Sequence, residues 1–147
     1  MAKFNFGLSS ILSIKEKIED LKKNEMAKAI MELEAEKERL RYLEQIRHDT
    51  IASFRESLNM GVKPEDIKQH NYYLDKLKLM IKAQKLAIVR AEEKVEQCRL
   101  ALVEAMRERK SLDKLRENEY EEYLVEEKKE EQKAIDEVVS YKTAVKG

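Results

Sequence analysis

From Leu74 the chain sets down a seam at alternating steps of three and four: Leu77, Ile81, Gln84, Ile88, Ala91, Val95, Cys98, Leu102, Ala105, Arg109 and Leu112. Ten of these twelve positions are apolar, and Gln84 and Arg109 are the exceptions. A heptad sustained over this length puts one narrow stripe on a helix, and such a stripe is covered by another helix. A strand would show alternation with a period of two, which is absent.

The partner helix lies upstream. Ile11, Ile14, Ile18 and Leu21 set one register, and Leu33, Leu40, Leu43 and Phe54 continue in a register displaced by one. The displacement predicts a four-residue stutter through Glu25 and Ala29, which would unwind a supercoil locally. Ile46, Ile51 and Leu58 broaden the apolar face beyond it.

Between the two patterns stands the only concentrated breaker signal, Asn59-Met60-Gly61-Val62-Lys63-Pro64-Glu65-Asp66. Glycine takes the left-handed conformation that ends a helix. Proline suits the first turn of the next, where its missing N–H leaves no partner unsatisfied. Glu65 and Asp66 then sit at the positive end of the second helix dipole. The fold class this predicts is all-α, a single long antiparallel two-helix coiled-coil hairpin over 1–147. Helix 1 spans about 5–58, the turn about 59–64, and the longer helix 2 about 65–140.

Folding about residues 61–62 opposes Leu43 to Ile81, Leu33 to Ala91, Leu21 to Leu102 and Ile11 to Leu112. At about 1.5 Å per residue the paired part would run to roughly 75 Å, with no room for an enclosed pocket. Helix 1 then has no residues left to pair, so helix 2 is expected to be unpaired from about 119. That overhang, LRENEYEEYLVEEKKEEQ, loses the apolar spacing and turns acidic. From Glu117 to Glu137 there are ten acids against three lysines, a local net of −7. Its last residues are expected to be poorly ordered.

Composition supports long helices over the two alternatives it raises. Charged residues make up 41%, against about 25% in an ordinary domain. Disorder would also explain so much charge, but disordered chains lack spaced apolar residues to bury. Lys+Arg and Asp+Glu are both 30, so the net charge is zero, whereas a nucleic-acid binder shows a basic excess or stripe. Nucleic acid is therefore not an expected partner.

Signatures of catalysis are missing. GVKP lacks the glycine-lysine-hydroxyl arrangement of a phosphate loop. His48 and His70 have no metal-ligand spacing with each other or with Cys98, and are read as surface polar residues. Cys98, on the seam, is read as a small buried apolar residue, and its solitude fits a reducing compartment. The carboxylates form a solvated face and not an acid–base pair. The reading is no enzyme, no cofactor and no metal. No apolar run approaches the roughly 20 residues needed to cross a bilayer, and the first residues lack the continuous apolar stretch of a signal peptide.

Binding is the better-supported class. Tyr42, Ile46, Phe54, Tyr72, Tyr73, Leu79 and Met80 crowd the turn-proximal region, more apolar bulk than one stripe per helix can bury. Such a surplus marks a protein interface.

The two ends of the chain carry a family resemblance. KFNFGLSSILSIKEKIED, a basic residue and two spaced aromatics leading into a charged helix, resembles the start of the flagellar FliJ proteins. EAMRERKSLDKLRENEYEEYLVEEKKEEQKAIDEVV is similar to their distal region, through Arg109-Lys110, Leu112, Lys114-Leu115, Tyr123, Glu131-Gln132-Lys133 and Asp136-Glu137. The resemblance implies a coiled-coil stalk of the flagellar type III export apparatus. Its implied partners are the hexameric export ATPase, a membrane export gate protein and export chaperones. Its implied place is the cytoplasm, peripherally associated with the membrane at the flagellar base, without direct membrane insertion.

Mapped onto this sequence, the resemblance puts ring contacts on the free ends: Lys3, Phe4, Phe6, Arg109, Lys110, Lys114, Arg116, Glu131, Gln132 and Lys133. It puts the gate-facing patch on Ile46, Tyr72, Tyr73, Leu77 and Met80. The isolated protein is expected to be a monomer. A generic coiled-coil spacer, dimerising through unbroken helices, is the alternative, and a hairpin arm that binds nucleic acid is a third reading.

Overall fold

A computed structural model describes residues 3–146. Two helices account for nearly all of them: α1, Ser9–Met60, and α2, Pro64–Lys146. The fold is an all-α antiparallel hairpin whose second helix, 83 residues against 52, is the longer.

The connection is three residues long and follows from its chemistry. Gly61 has φ of 88°, the left-handed region, and its N–H donates to the Leu58 carbonyl at 3.4 Å. α2 then opens on Pro64, and the Asp66 carboxylate accepts the Lys63 N–H at 3.1 Å, closing one half of a capping box. A methyl group on Gly61 would meet nothing within 4 Å, so the penalty for a side chain there is conformational alone. Gly61→Ala is expected to lower stability by about 1 kcal/mol, and Gly61→Asn by less, because asparagine tolerates the left-handed region. Urea unfolding of the two variants side by side checks the order.

Both helix bounds differ from expectation at the outer ends. α1 begins at Ser9 and not near residue 5. The chain before it forms a turn, with the Ser9 N–H donating to the Phe6 carbonyl at 3.1 Å and the first helical bond running from the Leu12 N–H to the Leu8 carbonyl at 2.9 Å. α2 continues to Lys146 because no glycine or proline interrupts it after Pro64. Its exposed end is laced by local pairs such as Gln132 to Asp136 at 3.1 Å and Lys129 to Glu126 at 3.8 Å.

Two compact units divide the pair, Met1–Asp20 with Val103–Gly147, and Leu21–Leu102. In the turn unit, residues 21–102, Ala29, Leu43 and Leu77 are buried and Gln84 joins them. Gln84 donates to the Glu36 carbonyl at 2.9 Å and to the Glu36 carboxylate, so the one polar break in this part of the stripe has a matching acceptor on α1. Lys94 pairs with Glu32 at 3.2 Å, and His70 stacks on Phe54 with centroids 3.8 Å apart. His70 is thus a packed aromatic partner, more than the surface residue its isolation in sequence suggests.

In the terminal unit, Phe6, Leu12, Ala105 and Glu19 are buried. Arg109, the other polar break in the α2 stripe, reaches Glu19 on α1 and Asp113 one turn along its own helix, the latter at 2.6 Å. Lys15 pairs with Glu108 at 2.8 Å beside it. A polar group on a seam is tolerated when its partner stands opposite, and such matched pairs also fix the register of two helices.

All twelve expected α2 seam positions are buried or half-buried. The α1 seam needs correction. Ile11, Ile14 and Leu21 are exposed, and Leu12 and Glu19 are the buried residues. Leu12, Lys15, Glu19, Lys22, Met26, Ala29, Leu33, Glu36, Leu40 and Leu43 follow one unbroken three-four spacing, and each is buried or half-buried. No stutter is required. The hydrophobic pattern misleads because four of these positions are charged, and Glu19, Glu36 and Lys15 are held there by the cross-helix partners just described.

Candidate interaction surfaces

The ring-facing set lies in the terminal unit and separates into two groups. Lys3 is exposed in the segment before α1, and Lys110, Lys114 and Arg116 are exposed on α2. Glu131, Gln132 and Lys133 are exposed farther along the same helix. Phe4, Phe6 and Arg109 are instead structural. Phe6 is 4% exposed. Phe4 sits edge-on to Tyr120 at 5.1 Å and tilted against Tyr123 at 5.5 Å. Arg109 is committed to Glu19 and Asp113, and those hydrogen bonds hold its guanidinium above the usual arginine range.

Phe4 also carries contact along α2 beyond the helix–helix pairing. Tyr123 falls on the continued α2 spacing with Tyr120 beside it, their rings 6.2 Å apart, and Phe4 of the segment before α1 packs against both, leaving Tyr123 half-buried and Tyr120 exposed. Desolvation there, then the charge of Glu127, pushes the Tyr123 phenol up from its ordinary value. Helix–helix pairing alone would stop near 119, but Phe4 in the segment before α1 carries contact on to Tyr123. Beyond it Leu124, Val125, Ile135, Val138, Val139, Tyr141 and Val145 are exposed. Of these, Ile135, Val138, Val139 and Val145 restore an apolar spacing that the acidic tract lacks.

The gate-facing set lies in the turn unit and is also split. Tyr72, Tyr73 and Met80 are exposed, and Ile46 is half-buried. Lys76 stands 5.6 Å from the centre of the Tyr72 ring, a cation–π distance. Leu77, 2% exposed, is an interior seam residue and presents nothing to a partner.

Among the described residues no group of three or more His, Cys, Asp or Glu side chains is arranged to hold a metal, and no helix is long and apolar enough to cross a membrane. The predicted contact residues left exposed are Tyr72, Tyr73 and Met80 in the turn unit and Lys3, Lys110, Lys114, Arg116, Glu131, Gln132 and Lys133 in the terminal unit.

The sequence matches the family model described as the flagellar FliJ protein over residues 4–147. The chain belongs to the flagellar FliJ family. That membership makes it a component of a type III export apparatus, in a family of structural export proteins. The fold is also similar to a solved structure from Chlamydia trachomatis described as a YscO homologue. The two share 25% identity with a TM-score of 0.67, over 92% of this chain and 93% of that one. A comparison with curated proteins found no significant match.

Proposed function

We propose that this protein is a non-enzymatic stalk of the flagellar export apparatus, binding the hexameric export ATPase through the exposed end of α2 and linking it to the membrane export gate and to export chaperones. The observation that carries the reading is the family match over residues 4–147 on a chain whose α2 runs on to Lys146 with Val138, Val139, Tyr141 and Val145 exposed. A helix of more than 20 residues with exposed valine, isoleucine and tyrosine gains burial only from another molecule, and an enclosing ring would supply it.

The ring contacts assigned in this reading are Lys3, Lys110, Lys114, Arg116, Glu131, Gln132 and Lys133, with Phe4, Phe6 and Arg109 holding the supporting geometry. The gate contacts are Tyr72, Tyr73, Met80 and the exposed part of Ile46, with Leu77 beneath them. The protein would act in the cytoplasm, at the inner face of the membrane.

Pull-down of purified export ATPase and of the gate's cytoplasmic portion tests both arms. A chain ending after Leu124 is expected to lose ATPase binding and keep gate binding. The Tyr72→Ala/Tyr73→Ala/Met80→Ala variant is expected to weaken gate binding at least about tenfold, since aromatic anchors dominate interface energies. Circular dichroism should show its helicity unchanged. Undiminished gate binding by the folded triple variant would remove the gate assignment.

A further inference from the structure

On the other side of the α2 seam from Tyr73 and Met80 the turn unit holds a groove of about 700 Å³. Tyr73 and Met80 each precede a seam position by one residue, whereas Lys78 and Lys85 follow one, so the two surfaces flank the stripe on opposite sides. Ile51, Ala52 and Ile81 line the groove, with Arg47, His48, Arg55, Lys78 and Lys85 around them and Glu44 the one acid.

Some cations of these helices pair with carboxylates, as Arg39 does with Glu36, Arg41 with Glu38 and Arg99 with Glu96, and others, such as Lys17 and Arg90, do not. Among the described residues, Arg47, Arg55, Lys78 and Lys85 have no such partner. An apolar strip rimmed by four unmatched cations is complementary to an acidic helix with an apolar centre.

The chain itself carries that helix. On the acidic tract of α2, Glu121, Glu122 and Glu126 surround Val125, which is 51% exposed, and Lys129, which pairs with Glu126 at 3.8 Å, shares the face and leaves it net acidic. The tract has a net of −7 in a chain whose total is zero, so the remainder is equally basic. Zero net charge with the two signs segregated favours association between copies over mutual repulsion.

We propose that the basic groove of one copy receives the acidic Glu121–Val125–Glu126 face of a second copy, in a head-to-tail, salt-sensitive contact. Val125 meets Ile51, Ala52 and Ile81, and the three glutamates meet Arg47, Arg55, Lys78 and Lys85. Where the α2 end also serves the ATPase ring, as in the reading above, this contact would compete with ring entry. The contact itself stands or falls without that reading, because its test contains no ATPase. An acidic membrane surface is less suited to the groove, since Ile51 and Ile81 are half-buried and the exposed Ala52 is too short to insert.

Sedimentation of the full chain up to about 0.5 mM, where small polar interfaces associate, is the test. At low salt the mean mass is expected to rise with concentration, and the association to weaken at least about tenfold by 0.3 M salt. Arg55→Glu/Lys78→Glu/Lys85→Glu should abolish it, as should Glu121→Lys/Glu122→Lys/Glu126→Lys. All six changes in one chain should restore it. A control separates pairing from net charge: the groove reversal combined with Glu34→Lys/Glu38→Lys/Glu93→Lys also has zero net charge, and should remain a monomer.

A wild type that stays monomeric at low salt overturns the proposal, as does association by the control chain. So does flotation of the wild type, but not the groove variant, with phosphatidylserine vesicles when no self-association is seen. Circular dichroism on every variant confirms that the helices persist.

Discussion

Leu77→Ala is expected to lower the free energy of unfolding by about 2–4 kcal/mol, the range for emptying a buried leucine site. At 2% exposure Leu77 is, with Ala29, among the most buried apolar residues of the turn unit. Met80, one turn along α2, is 51% exposed, and Met80→Ala should change stability by no more than about 0.5 kcal/mol. Urea unfolding followed by circular dichroism separates the two. Equal effects would mean that the seam does not run through Leu77. The contrast bears on function because both residues sit in the region that the family resemblance associates with the export gate. A binding defect in a Leu77 variant therefore reports on folding, whereas one in a Met80 variant reports on contact.

Phe6→Ala is the counterpart at the other end, with an expected loss of about 3 kcal/mol for a buried phenylalanine. Its consequence should be local. Phe6 anchors a segment with no helix of its own, held by the turn from Phe6 to Ser9 and by Phe4 against Tyr120 and Tyr123. Releasing it should expose those tyrosines while leaving the turn unit intact. Hydrogen exchange is the measurement: amides near Leu8–Leu12 should lose protection, and those near Leu43 and Leu77 should keep theirs. Loss of protection throughout would show that Phe6 supports more than its own unit. Any fall in ATPase binding by this variant would act through the unanchored segment.

Both residues show how a site read from sequence mixes two kinds of position. Family resemblance and apolar character nominate Phe6 and Leu77 as readily as Tyr72 or Met80, since hydrophobicity is shared by cores and interfaces. Only exposure separates them, and exposure is a property of the packed chain. Arg109 is the polar version of the same confusion. Its charge suggests a surface contact, but its partners are Glu19 and Asp113.

The sequence by itself determined the helical class, the turn at Gly61 and Pro64, and the α2 stripe from Leu74 to Leu112. Each of these is written locally, in a three-four spacing, a left-handed glycine and a proline placed where a helix starts. What the tertiary structure decided is which residues of α1 meet that stripe. Leu12, Lys15, Glu19 and Lys22 form the true seam, yet three of the four are charged, and their places are set by Arg109, Glu108 and the register of the opposing helix. The folding of residues 3–8 onto Tyr120 and Tyr123 belongs with them. It joins aromatic residues more than a hundred positions apart, so no local pattern encodes it. The groove of unmatched cations is of this kind too, because Arg47 and Arg55 come beside Lys78 and Lys85 only once the chain has turned back on itself.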